Sequence, residues 1–382
     1  MMRVLHVIGA MDRGGAETMI MNLYRAMDRT EVQFDFLVHE ERECDYDAEI
    51  LSLGGRIFRA PRFNGVNYYA YRRVFRELFE THPEWLIVHG HIGSSAALYL
   101  TEAKRAGRVA IAHSHAQNYM KGLPGLAFKV LSYPTRNIAD WFLGCSEEAC
   151  VDRFGPQVAQ GERCFVLRNG IDLSRYVFDD AVRARMREEL GVRSDAPVFC
   201  HVGRFTEVKN HAFLLDVFSL VKSEMPDAVL LLAGRGELEG EIRRNVNARG
   251  LADAVKFLGV RDDICDVLQA ADVFLFPSRK EGLAIAVVEA QASGLPGLVS
   301  TGVPDVAVVS KGVVHIDLAE GAQRWADLAI DLACGSQAVD RSRGVEEVRA
   351  SGFGIEESAK WLDGFYRSLA LGEDASVKPA VR

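Results

Sequence analysis

Short, nearly unbroken apolar runs recur along the chain at 4–8, 34–38, 85–88, 109–112, 141–143 and 165–167. Between them lie segments with helical spacing of apolar residues, as at 16–27 and 71–79. Successive strand residues point to opposite faces, so a run that is apolar throughout must be covered on both sides. Alternating strands and helices of this kind predict a parallel sheet between two helical layers. The pattern begins again at 198–202, 229–233, 255–258, 273–276 and 298–300. The expectation is therefore an α/β chain of two doubly wound units facing a cleft.

The stretch 171–197 is polar, rich in Arg and Asp, and has no strand candidate, which places a boundary there. We read 1–172 as a first unit and 173–352 as a second. A last helix at 353–372 carries Trp361, Phe365 and Tyr366 at helical spacing and is expected to pack back toward the first unit. The charged tail 373–382 is expected to fray.

A length of 382 residues agrees with two domains. The formal net charge of -8 argues against a nucleic-acid partner, which requires a basic surface. Seven cysteines are scattered without a CxxC pair, a pattern of reduced thiols rather than of a disulfide framework or a zinc site. No apolar run approaches the roughly 20 residues of a membrane span, and residues 3–8 start a strand rather than a signal peptide. These features point to a cytoplasmic protein whose contact with a membrane would be peripheral.

The most informative stretch is 277–290, where a strand runs into Pro277-Ser278 and on to Glu281, Gly282, Leu283 and Glu289. On a helix, the two glutamates would lie near one side, able to hold two hydroxyl-bearing groups of one long ligand. The plainer reading is an amphipathic helix with two solvated glutamates. Gly203-Arg204 and Lys209 follow the first strand of the second unit, where ligands of α/β sheets bind. Two cations on a glycine-bearing loop suit a diphosphate, the alternative being two solvated surface charges. Gly234-Arg235-Gly236 could bring backbone close to a ligand, or be only a turn. In the first unit, Gly14-Gly15 opens a helix whose N-terminus would favour an anion. His89-Gly90-His91 and His113-Ser114-His115 each close a strand, but no acid or cysteine accompanies them at metal-site spacing, so no metal site is expected. Asp45-Tyr46-Asp47 has the form of a metal–diphosphate motif, but its acidic surroundings favour a solvated loop.

Taken together, these residues resemble family 4 of the retaining glycosyltransferases, of the two-Rossmann-domain GT-B type, and within it the exopolysaccharide-biosynthesis branch. The resemblance rests on Gly14-Gly15-Ala16-Glu17, Ala112-His113-Ser114-His115, Asn169-Gly170-Ile171-Asp172, Gly203-Arg204 with Lys209-Asn210, and the segment from Glu281 to Pro296. It implies that Arg204 and Lys209 neutralise the diphosphate of a nucleotide sugar, most simply UDP-linked, in place of a metal. Glu289 would bind the ribose and Glu281 the transferred sugar. The N–H groups of Gly282 and Leu283 would meet the phosphates, and Gly14 and Gly15 would close over the donor. His115 would lie beside the reacting sugar, with His113 the second choice and His91 also on the acceptor side. Ala284 departs from the pattern, standing where many members have proline or another residue.

The implied reaction is transfer of a hexosyl unit, with retention and without a cofactor, to a saccharide or lipid-linked saccharide in exopolysaccharide or other cell-surface glycan synthesis. Arginines between 56 and 76, interleaved with aromatics and free of acids, and a second acid-free stretch at 103–139 point to an anionic membrane surface or to a solvated face. A nucleotide-sugar epimerase of the same fold and a non-catalytic nucleotide-sugar-binding module are the alternatives.

Overall fold

A computed structural model describes residues 1–115, 122–335 and 340–372, with backbone only at 123, 124 and 127. The tail 373–382 and Lys121 lie outside the described residues. The chain divides into one unit of Met1–Ile171 with Gly354–Arg382 and a second of Asp172–Phe353.

The first unit holds a seven-stranded parallel sheet. Its strands are β1 (Met2–Ile8), β2 (Val32–Val38), β3 (Arg56–Arg59), β4 (Trp85–Gly90), β5 (Val109–Ser114), β6 (Trp141–Gly144) and β7 (Cys164–Val166), in the order β3-β2-β1-β4-β5-β6-β7. The second unit holds β8 (Val198–Val202), β9 (Val229–Ala233), β10 (Val255–Gly259), β11 (Val273–Phe276), β12 (Gly297–Ser300) and β13 (Val313–Ile316), in the order β10-β9-β8-β11-β12-β13. In each sheet the order reverses beside the first strand, which creates a crevice at the carboxyl ends of β1 and β4 and of β8 and β11.

Two strands lay outside the sequence expectation, β3 and β13, and both are sheet edges. An edge strand has one neighbour and a wetter face, so Arg56-Ile57-Phe58-Arg59 lacks the continuous apolar run of a central strand.

The unbroken runs of the first sheet are explained by its two cores. Val4, Phe34, Phe36, Ile87 and Ile111 face one cluster, which takes in Met19, Leu23, Leu362, Phe365 and Tyr366. Leu5, Val7, Leu37, Val88 and Ala110 face the other, with Phe75, Tyr99 and Phe154. The helix Ile355–Leu371 thus belongs to the first unit, where Phe365 and Trp361 pack edge-on against Phe165. Each such buried side chain is worth roughly 1.5–3 kcal/mol. The chain leaves and re-enters this unit at neighbouring points, since Ile171 bridges Gly354 in parallel. Among the described residues no helix is long and apolar enough to cross a membrane.

The arginine-rich stretch is not a free basic face. Arg56 pairs with Asp35 and Glu84, Arg59 with Asp47, Arg62 with Glu40, and Arg72 and Arg76 with Glu102. The acids come from distant positions, which is why the local sequence looked acid-free. Asp47, expected in a solvated loop, is instead buried and starts the helix Asp47–Ser52.

Asp35, on β2, is fully buried and accepts from Arg3 at 2.8 and 2.9 Å, from Arg56 at 2.5 Å and from Trp85 Nε1 at 2.7 Å. Burial alone would raise its pKa, but these donors outweigh it and hold the carboxyl down at about 2. A depressed carboxylate stabilises the fold above its unfolded value of about 3.9 and loses that contribution as pH falls toward 2. Asp35→Ala is expected to cost about 3 kcal/mol in urea unfolding at pH 7, because it strands two arginines and an indole N–H. A loss below about 1 kcal/mol would show that this cluster does not anchor the strand.

Candidate active site

In the second unit, three loops at carboxyl ends of strands carry the candidate residues. The loop after β8 brings Gly203, Arg204 and Lys209, the loop after β11 brings Glu281, Gly282 and Leu283, and Gly234 follows β9. They are tied together by backbone bonds, Arg279 N–H to Val208 O at 2.8 Å and Gly203 N–H to Ala233 O at 2.9 Å. Gly234 has a φ of 139°, and a Cβ there would stand 2.1 Å from the Gly203 oxygen. Only glycine lets these two loops meet so closely.

The two glutamates do not share a helix. The helix begins at Ile285, so Glu289 lies on it while Glu281 sits in the loop before it, its N–H bonded to Gly302 O at 2.9 Å. The break comes at Ala284, the residue preceding the helix, whose φ of 60° is left-handed. Local spacing suggested a continuous helix because it says nothing of this turn. A left-handed position favours glycine, so alanine is strained there.

Charge is arranged around this turn. Lys209 Nζ donates to Glu281 Oε1 at 2.8 Å and lies 4.5 Å from the centroid of the Phe276 ring. Arg204 is exposed, and among the described residues no acid pairs with it. No protein acceptor meets the N–H groups of Gly282 and Leu283 among the described residues. Glu289 accepts from the Tyr176 hydroxyl at 2.9 Å. Burial pushes the Glu289 carboxyl up to about 7, with the Tyr176 hydrogen bond and Arg175 pulling the other way. A group at that value both donates and accepts near neutral pH, which suits it to a vicinal pair of hydroxyls. Tyr176 was missed by sequence reasoning. It lies on a short 3-10 turn, Leu173–Tyr176, inside the stretch taken as a boundary, and only folding brings it to a residue 113 positions away.

In the first unit, Gly14 precedes the helix Gly15–Ala26. The Glu17 carboxyl lies against it, with Oε2 2.4 Å from where a Gly14 Cβ would be. Burial raises the Glu17 pKa. The helix start is thus already faced by a carboxyl, so an anion approaching Gly14 and Gly15 would meet it first.

The histidines form a connected group. His6, His89 and His113 lie on β1, β4 and β5 with the same parity, on the sheet face that carries the helix Ile355–Leu371, and His91 and His115 continue two positions on. His6 Nδ1 meets His91 Nε2 at 2.9 Å, His91 Nδ1 meets His115 Nε2 at 2.7 Å, and His89 Nε2 meets His113 Nδ1 at 3.1 Å. His89 Nδ1 contacts the Tyr366 hydroxyl at 2.6 Å. His6 had no place in the sequence reading because a single histidine within an apolar run looks like core. Burial lowers the pKa of all five. His113 is fully buried, whereas His115 and His91 are partly exposed.

Two triplets, His6 with His89 and His91, and His91 with His113 and His115, place ring nitrogens within 4.8 Å of one another. Two nitrogens on a tetrahedral ion at about 2.05 Å stand about 3.3 Å apart. The contacts at 2.7 and 2.9 Å are closer than that and suit a shared proton, one ring donating to the next.

The strain at residue 284 gives a test. Ala284→Gly is expected to stabilise the protein by about 0.5–1 kcal/mol in urea unfolding, the left-handed cost of alanine less the extra entropy of unfolded glycine. A destabilised variant would mean that the Ala284 methyl packs for more than its backbone costs.

Two family descriptions match the chain, glycosyltransferase family 4 over residues 13–175 and glycosyl transferases group 1 over residues 182–327. The putative glycosyltransferase EpsF of Bacillus subtilis strain 168 is 38% identical over 333 residues, spanning 85% of this chain and 86% of EpsF. An Escherichia coli UDP-Gal:alpha-D-GlcNAc-diphosphoundecaprenol alpha-1,3-galactosyltransferase is 35% identical over 140 residues, 35% of this chain and 36% of its own. Among solved structures, Anabaena HepE in complex with UDP-glucose superposes with a TM-score of 0.77 at 18% identity, covering 96% of this chain and all of HepE, a likeness of fold. With two parallel-sheet α/β units and this extent of likeness to EpsF, the chain belongs to family 4 of the glycosyltransferases and has the GT-B fold.

Proposed function

We propose that this glycosyltransferase moves a hexosyl unit from a UDP-linked sugar to a hydroxyl of a saccharide or lipid-linked saccharide, in exopolysaccharide or other cell-surface glycan synthesis. The observation that carries this reading is the set of groups at the carboxyl ends of β8 and β11. An exposed guanidinium, a lysine held by a glutamate, the loop amides of Gly282 and Leu283, and, on the helix that follows, a protonatable carboxyl with its tyrosine belong to adjoining segments. That sequence of charges suits a ligand with hydroxyls at both ends and a diphosphate between them. The donor chemistry of HepE's bound UDP-glucose and the lipid-linked acceptor in the name of the Escherichia coli relative support the choice of substrates.

In this reading Arg204, Lys209 and the amides of Gly282 and Leu283 take up the charge that develops on the leaving diphosphate. They supply positive charge where other sites use a metal. Lys209 has a second task, because its ion pair fixes Glu281 toward the transferred sugar. Glu289, oriented by Tyr176, holds the ribose. Neither glutamate is the acid or base of a hydrolase. The departing phosphate oxygen takes the acceptor proton on the face it leaves, which retains the anomeric configuration. His115 meets the transferred sugar in preference to His113, whose ring is buried and bonded to His89.

Of the two stretches that the sequence offered for membrane contact, we take the second, 103–139, since the arginines of the first are paired with acids. On the helix Gly122–Ser132, Leu126, Val130 and Leu131 are exposed beside Lys129, with Tyr133 just beyond. An apolar face with a cation suits shallow insertion among anionic headgroups.

Arg204→Ala is expected to lower kcat by about 100-fold or more while the protein stays folded, read as release of UDP from UDP-glucose or UDP-galactose with a saccharide acceptor. Rates near wild type would overturn the diphosphate assignment. In co-sedimentation with phosphatidylglycerol-containing vesicles, Val130→Asp is expected to reduce the bound fraction several-fold at low salt. Equal binding of variant and wild type would rule out this helix as the contact.

A further inference from the structure

His201 is fully buried within the apolar run of β8, where a polar ring is costly unless its nitrogens are accounted for. β8 pairs with β11 through Phe199 with Val273 and Cys200 with Phe274, and the pairing stops there. With β9 it continues as far as Val202 and Ala233. Just beyond the split, His201 Nδ1 meets the Leu275 carbonyl oxygen at 2.8 Å. A carbonyl only accepts, so Nδ1 carries the proton, and the side chain spans the two strands where their backbone ladder has ended.

The position of the second nitrogen follows from that bond. Burial holds the His201 pKa well below 6.5, so the ring has one proton and Nε2 is bare. Nε2 has no protein partner. It lies beside the loop that carries Lys209, since a Cβ on Gly203 would stand 3.2 Å from Nε2 and 3.2 Å from both Cδ and Cε of Lys209. In a neutral imidazole the N–H is the positive end and the bare nitrogen the negative one. The Leu275 bond therefore commits the positive end to β11 and leaves the negative end beside the lysine stem.

The same ring supports Lys209 in a second way. His201 stacks on Phe276 with centroids 5.3 Å apart and planes inclined at 23°. Lys209 Nζ lies 4.5 Å from the Phe276 centroid while donating to Glu281. His211, which opens the helix His211–Glu224, sets its ring edge-on to His201 at 4.8 Å and to Phe205 at 4.7 Å. Burial lowers the His211 pKa to about 4, so it adds no charge near neutral pH. A leucine at 201 would pack against these rings but offer the ammonium no dipole, and a protonated ring would set a second cation beside it.

We propose that His201 is a positioning residue for Lys209: bonded to Leu275, it keeps its bare Nε2 beside the lysine stem and Phe276 under the ammonium, and so fixes where that charge meets a diphosphate. This deepens the reading that Lys209 takes up the donor's diphosphate and rests on it. His201 itself touches no ligand.

The test uses the full chain. In long-range 1H–15N spectra of ligand-free protein with ring-15N histidine, the signals lost in His201→Gln identify His201. They are expected to show Nδ1–H and a bare Nε2, and Lys209→Met is expected to move the Nε2 signal and leave Nδ1 in place. His201 found as Nε2–H, or an Nε2 signal indifferent to Lys209, would overturn the proposal. These spectra do not depend on the next variant folding. UDP affinity by calorimetry is the second readout. His201→Phe keeps a ring on Phe276 and loses both nitrogens. It is expected to weaken UDP binding about fivefold, but less than about twofold when Lys209 is already methionine, because residues that act through one another are not additive. His201→Gln, whose amide oxygen takes the place of Nε2, should regain most of the loss. An unchanged affinity in His201→Phe, an equal loss in both backgrounds, or an equal loss with Phe and Gln would show that His201 acts by packing alone and would also overturn the proposal. Should Lys209→Met leave UDP affinity unchanged, the diphosphate reading fails, while the ligand-free spectra still decide whether His201 is coupled to Lys209.

Discussion

A parallel sheet carries every strand's carboxyl end to the same edge, and where the strand order reverses the flanking helices part and leave that edge open. This constraint governs both units. In the second, it collects the loops after β8, β9 and β11, so that Lys209, Gly234 and Glu281, from 25 to 72 positions apart, come to one side of one sheet. In the first, it places the ends of β1, β4 and β5 side by side, and with them five histidines. The chemistry of each unit follows from which residues terminate those strands.

The polar groups gathered there are costly to bury, and the structure offsets that cost by pairing them with groups from elsewhere. Lys209 holds Glu281, Tyr176 holds Glu289, and the imidazoles hold one another. In each pair one partner fixes the orientation of the other, the kind of preorganisation that electrostatic catalysis requires. Asp35 serves a structural counterpart of the same kind at the other end of the first sheet, gathering Arg3, Arg56 and the Trp85 indole.

Much was legible without coordinates. The apolar runs located eleven of the strands because a doubly covered strand must be apolar on both faces. What misled was local inference about groups whose partners are remote. The arginines between 56 and 76 looked like a free basic surface until Asp35, Asp47 and Glu102 were seen against them. Asp47 looked solvated until Arg59 was seen to meet it. Glu281 and Glu289 looked like one face of a helix because nothing in their spacing reveals a left-handed residue between them.

The sequence by itself determined the class of fold and the family, since periodicity and short-range order depend on neighbours along the chain. Only the tertiary structure decided that Glu281 belongs to a loop and is held by Lys209, that Tyr176 orients Glu289, and that His6 is continuous with His115. Those facts depend on proximity in space between positions from 24 to 113 residues apart, and hydrogen bonds and ion pairs act over a few ångströms of space whatever the separation along the chain.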